Sequence, residues 1–181
     1  GWNYALQTVF INNRSIPLYH PTQVPIGSRV IHPVTRLHLW SPLPTTGTKI
    51  GELSIPAAHI LVPVVQGTGW NQLGLGVGHD VASVLPGQMG DVYLAGHRDT
   101  VFLNLRKVRK GDRITLATVY GKFVYEAISF SIVPQTDLQV LRPTSYSTLT
   151  LQTCYPFFFF GFAPDRYLVH TKLLSQPLGI Q

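Results

Sequence analysis

"DRITLATVYGKFVYEAISFSIV", residues 112–133, decides the fold class. Two runs, 112–118 and 122–133, alternate between apolar and polar residues and flank "VYGK" (119–122). Successive side chains on a strand point to opposite faces, so such alternation marks a half-buried strand. A short connection containing Gly between two of them reads as a hairpin turn. Working outward, "KIGELSI" (49–55), "HILVPVV" (59–65) and "GDVYLAG" (90–96) are further short apolar runs bounded by Gly and Pro. "YSTLTLQTC" (146–154) and "RYLVHTKLL" (166–174) continue the series downstream. Between them, "TVFLNLRKVRKGD" accommodates one short helix with Phe102, Leu105 and Val108 on a common face. Most strands are joined without a helix-length crossover. The expectation is a mainly β domain, built as a small and mostly antiparallel barrel or sandwich.

Residues 1–48 read differently. They carry six prolines, at 17, 21, 25, 33, 42 and 44, and little sustained periodicity, although "WNYALQTVF" suits a short helix or strand. This predicts a Pro-rich N-terminal segment, 1–48, lying over a domain of residues 49–181. With 181 residues, 45% hydrophobic and only 12% charged, the chain can bury a full core. No apolar run reaches the roughly 20 residues that span a bilayer. A single Cys excludes an internal disulfide and a thiolate-rich metal site. The net charge of +6 is uneven, because Arg106, Lys107, Arg109, Lys110 and Arg113 crowd into "RKVRKGDR". That run reads either as a solvated turn or as an edge facing an anionic surface, lipid headgroups or cell-wall polymer. It has no aromatic-basic platform or recognition helix beside it, which argues against nucleic acid.

Candidate chemistry centres on the lone thiol. In "TLTLQTC", Thr148, Thr150, Gln152 and Cys154 share one face and Leu149, Leu151 and Thr153 the other. Cys154 therefore ends a strand on its more polar face, either as a small core residue or as a reactive thiol. A thiol with an ordinary pKa near 8.5 needs a base or cation to act near neutrality. Of seven histidines, His20, His32 and His38 lie in the Pro-rich segment, and His170 sits mid-strand as a sheet residue. His97 follows an apolar strand and a Gly that lets the backbone turn. If the strands before His97 and Cys154 are parallel neighbours, both side chains emerge at one rim. Arg166 opens the strand after "YPFFFFGFAP", so antiparallel pairing returns it beside Cys154. It suits either an oxyanion donor or a rim ion pair with Asp165 or Asp99.

"TLQTC" (150–154) resembles the TLxTC motif of the sortases, with an arginine 12 residues downstream and a histidine 57 upstream of the cysteine. "GELSIPAAHILVPVVQGT", "GHDVASVLPGQMGDVYLAGHRDTVF", "LTLQTCYPF" and "APDRYLVHTKL" are similar to class D sortases, over roughly residues 50–174. The resemblance implies a closed eight-stranded β-barrel with one or two short helices, and a cysteine transpeptidase that needs no cofactor or metal. It implies that Cys154 attacks a Thr–Gly or Thr–Ala bond in an LPxTG-like sorting signal and becomes an acyl-thioester. His97 would protonate the leaving amine and later deprotonate the incoming one, and Arg166 would steady substrate and oxyanion. The partners implied are a sorting-signal peptide and an amine acceptor, from a cell-wall precursor or another surface protein. The setting implied is extracytoplasmic, at the membrane, through an anchor absent from this chain. A thiol hydrolase on the same barrel and a non-catalytic peptide-binding module are the alternatives.

Two stretches remain. "YPFFFFGF" either walls the groove with apolar rings, keeping water from the thioester, or closes the barrel's end. "LPTTG" at Leu43 to Gly47 matches the L-P-x-T-G pattern itself. It reads as chance in a Pro- and Thr-rich linker, or as an extended pseudo-substrate lying in a sortase groove.

Overall fold

The computed structural model describes residues 39–137 and 143–180. The strands are β1 (Lys49–Ile55), β2 (Ile60–Gln66), β3 (Val77–His79), β4 (Asp91–Ala95), β5 (Arg113–Thr118), β6 (Gly121–Pro134), β7 (Thr148–Tyr155) and β8 (Asp165–Ser175). One helical turn, α1 (Trp70–Leu73), and 3-10 turns at Pro56–Ala58 and Leu103–Lys107 complete the elements. The strands close a barrel in the order β1-β2-β3-β4-β7-β8-β6-β5. Pairing is antiparallel except between β2 and β3 and between β4 and β7.

The quoted stretch forms the β5–β6 hairpin, in register from Arg113↔Glu126 to Thr118↔Gly121. Only Val119 and Tyr120 lie outside the ladder, and Gly121 closes the turn at φ 116°, a region that penalises a side chain. Alternation then sorts each strand. Leu53, Ile55, Val64, Val92, Leu94, Ile114, Leu116, Phe123, Leu149, Leu151 and Val169 fill the interior. Phe102, Leu105 and Val108 are buried as expected, but around a 3-10 turn rather than an α-helix.

Strand directions define the two ends. Following the pairings, β1, β4, β6 and β7 run one way and β2, β3, β5 and β8 the other. The ends of β4 and β7 and the start of β8 thus share one rim. The opposite end is sealed by Leu39 and Trp40, both buried. The Trp40 indole donates to the Pro86 carbonyl at 2.8 Å, and its ring meets Tyr120 edge-on at 5.0 Å.

Three features depart from the sequence reading. β3 is only three residues long and shows no periodicity; parallel pairing of Val64 with Val77 and Gln66 with His79 recruits it. α1 likewise carries no helical pattern. The "LPTTG" segment is folded into a turn: Thr48 N donates to Thr45 O at 3.0 Å and Gly47 N to Gln66 O at 2.8 Å. Thr46 and Gly47 lie against α1. These bonds tie the segment to the end of β2, and it does not lie extended in the chain's own groove. "WNYALQTVF", most of the Pro-rich segment and its three histidines lie outside the described residues.

Leu151 is fully buried on β7, three residues before Cys154. Leu151→Ala should cost about 2–5 kcal/mol, read from the midpoint of chemical denaturation.

Candidate active site

β4 delivers His97 and β7 delivers Cys154. The two strands pair in parallel from Asp91↔Thr148 to Ala95↔Gln152. The ladder extends one residue further, with Gly96 N donating to Gln152 O at 3.0 Å. The buried Thr153 hydroxyl donates to Gly96 O at 2.8 Å, and Phe102 N donates to His97 O at 3.0 Å. The backbone on both sides of His97 is therefore fixed. The glycine before it serves close approach rather than turning, since a Cβ there would lie 2.6 Å from the Phe102 ring.

Cys154 points outward from β7 and is half-buried. His97 and Cys154 line one cleft of about 440 Å³, with Trp70, Asp99, Phe162 and Ala163 among its walls. Trp70, from α1, meets the His97 ring edge-on at 5.7 Å between centroids. No sequence signal marked Trp70, whose place depends on the crossover between β2 and β3.

Arg166 pairs directly with Cys154 in the antiparallel β7–β8 ladder. Its guanidinium does not line the cleft. Nη1 donates to the carbonyls of Ala163 at 3.1 Å and Asp165 at 2.8 Å, and Nη2 to Gln135 Oε1 at 3.4 Å. The Asp165 contact is thus to its main chain, not to its carboxylate. These bonds use three of the five N–H donors a guanidinium carries.

Below Cys154 the outer face of β4, β7 and β8 is polar. The Tyr93 hydroxyl donates to Gln152 Oε1, and the Thr150 hydroxyl donates to the Asp91 carboxylate, at 2.8 and 3.0 Å to its two oxygens. Asp91, Thr150, Leu168, His170 and Tyr146 line a groove of about 530 Å³ on this face. Burial pushes the Asp91 pKa up to about 6 against the opposing Thr150 bond. Burial raises the Tyr93 phenol and lowers the His170 imidazole, which lies 2.7 Å from the Ser131 hydroxyl. His79 is buried at the end of β3, where Gln66 and the Val84 carbonyl bond its ring and burial lowers its pKa. It braces the segment leading to β4. Among the described residues, no group of three His, Cys, Asp or Glu side chains is placed to hold a metal ion.

The sortase-domain family model matches residues 53–174. The chain belongs to the sortase family. Sortases are cysteine transpeptidases, and this sortase resembles class D most. It is 40% identical over 133 residues to sortase D of Bacillus subtilis, covering 73% of this chain and 67% of that one. The structure of a Clostridium perfringens Sortase D5 transpeptidase aligns with TM-score 0.67 and 27% identity, over 75% of this chain and 84% of that one. Clostridium perfringens sortase C, solved with the C-terminal cell wall sorting motif, aligns with TM-score 0.65 and 25% identity over 73% and 74% of the two chains. The closed eight-stranded barrel expected from the resemblance is the barrel observed.

The phenylalanine loop of this sortase meets neither expectation as a whole. Phe157 packs inward against Tyr167 at 5.3 Å, whereas Phe158, Phe160 and Phe162 stand in solvent. Only Phe162 borders the cleft. Arg98 holds the loop by donating to the carbonyls of Phe159 at 2.9 Å and Gly161 at 2.8 Å.

Asp91 supplies a pH-dependent test. Folding raises its pKa from an ordinary value of about 4 to about 6. Between those values the folded chain holds a proton that the unfolded chain has lost, so stability falls as pH rises through the window and the full penalty persists above it. Asp91→Asn should therefore stabilise the protein at pH 7 by up to about 2 kcal/mol and change little near pH 4. Urea denaturation at both pH values reads this difference.

Proposed function

We propose that this sortase cleaves an LPxTG-like sorting signal after its threonine and passes the acyl group to an amine. The parallel β4–β7 pairing, which puts His97 and Cys154 in one cleft, is the observation that carries this reading. The Cys154 sulfur attacks the threonine carbonyl carbon, forming a C–S bond and a tetrahedral oxyanion. Collapse breaks the C–N bond, and His97 gives its proton to the departing amine. An incoming amine then attacks the thioester, loses its proton to His97 and expels the Cys154 thiolate.

Arg166 is proposed to donate its remaining N–H groups to the substrate carbonyl or oxyanion. Its position opposite Cys154 in the ladder supports that role; the guanidinium, bonded to Ala163, Asp165 and Gln135, turns from these partners toward the cleft when substrate binds. The peptide is proposed to lie extended along the outer face of β7, from the groove beside Thr150 to Cys154, a span of about 13 Å. The sorting-motif complex of the Clostridium perfringens sortase C supports a peptide of this class. The acceptor is an amine of a cell-wall precursor or of another surface protein, and the enzyme acts outside the cytoplasm at the membrane. Residues 49–181 are proposed as the catalytic domain.

Mass spectrometry of the protein incubated with LPxTG-, LPxTA- and LAxTG-type peptides should find an acyl adduct on Cys154. Hydroxylamine should then release it as the hydroxamate, and a glycine peptide as the amide. Release only as the free acid would instead mark a thiol hydrolase. Cys154→Ala and His97→Ala should remove turnover while costing less than about 1.5 kcal/mol of stability, because both sit at a rim. Residual turnover in Cys154→Ala would end the covalent mechanism.

Arg166→Lys should be far less active than wild type in the same peptide assay, since an ammonium keeps the charge but not the planar fork. Equal kinetics would reduce Arg166 to a packing residue of the rim.

A further inference from the structure

The rim around the cleft combines two features that chemistry at Cys154 does not use. On one side, Phe158 is 78% exposed and Phe160 fully exposed at the tip of the β7–β8 loop. Across the cleft, Trp70 is 84% exposed. Solvent-facing aromatics clustered on one rim are an unmet apolar surface. Behind them lies charge. Between Arg98 and Arg113 the chain carries six cationic and two acidic side chains. Arg106, Lys107 and Arg109 border one open recess of about 560 Å³, with Asp112 as its acid. The two features touch: the Arg106 guanidinium lies 5.5 Å over the Phe158 ring, and Arg98 lies 6.0 Å over Phe159.

We propose that this rim docks on the surface of an anionic lipid bilayer, with Phe158 and Phe160 entering the headgroup boundary while Arg106, Lys107 and Arg109 meet lipid phosphates. A soluble polyanion would engage the cations and leave the rings in water. An apolar protein patch would engage the rings and leave the cations without partners. A bilayer interface offers phosphate and hydrocarbon within one side-chain length of each other, which matches rings and guanidinium groups interleaved on one loop edge. Trp70 suits the same layer, where its ring sits at headgroup level. The cleft then opens against the membrane plane. This surface is independent of the proposed acyl transfer.

Flotation of the purified chain with phosphatidylcholine vesicles containing about 30% phosphatidylglycerol tests the proposal. Wild type and Cys154→Ala should both float with the anionic vesicles, and raising salt from about 0.1 to about 0.5 M should weaken binding. Phe158→Ser/Phe160→Ser and Arg106→Glu/Lys107→Glu should each lower partitioning at least about tenfold. Leu178→Ser, at an exposed residue beside Pro177 and the β5–β6 turn at the other end of the barrel, should bind as wild type. Circular dichroism checks that each variant is folded. The proposal is overturned if wild type fails to float with anionic vesicles. It is also overturned if the double-Phe variant binds as tightly as wild type, the behaviour of a site for a soluble anionic polymer.

Discussion

The parallel pairing of β4 with β7 is the constraint on which this protein depends. An antiparallel pairing would have sent the ends of the two strands to opposite rims, and His97 and Cys154 with them. The pairing is reinforced where it matters. Gly96 sits between the Gln152 carbonyl, which its N–H reaches, and the Thr153 hydroxyl, which reaches its own carbonyl. Thr153 faces inward and Cys154 outward, so the residue that locks the strand and the proposed nucleophile are neighbours with different tasks.

The barrel treats its two ends and two faces unequally. One end is closed by Leu39 and Trp40 through both packing and hydrogen bonds. The other is left open and ringed by exposed aromatics and cations. Inside, aliphatic side chains fill the space; outside β4 and β7, a hydroxyl, a phenol, an amide and a carboxylate share one strip. Placing Asp91 there penalises its charged form. A desolvated carboxylate on a polar strip leading to a thiol lowers stability, a local conflict of the kind that marks candidate functional sites.

Much of the fold was legible. β1 begins and ends where its alternating run does, and the runs around 112–133 became the hairpin they suggested. Cys154, His97 and Arg166 each stand at a strand boundary as the alternating runs place them; the structure puts His97 and Cys154 in one cleft and pairs Arg166 with Cys154 in the ladder, its guanidinium outside that cleft. β3 was missed because three residues carry no period, and only their pairing with β2 makes them a strand. Trp70 was missed because an exposed ring on a single helical turn leaves no pattern. The role given to Gly96 was wrong in kind: space beside Phe102, rather than backbone freedom, demands it.

By itself the sequence determined seven of the eight strands, which faces are apolar, and that a single thiol closes a strand on its polar face. These are local facts, written in a period of two and in the turn residues between runs. Only the tertiary structure decided that two strands distant in the chain lie parallel, that "LPTTG" is a stitched turn, and that Phe158, Phe160 and Phe162 face water while Phe157 packs inward. It also decided where Arg166 rests and how far the Asp91 carboxyl is desolvated. Each of those depends on which surfaces meet after the barrel closes, and closure is set by packing and loop entropy summed over the whole chain, which no short stretch encodes.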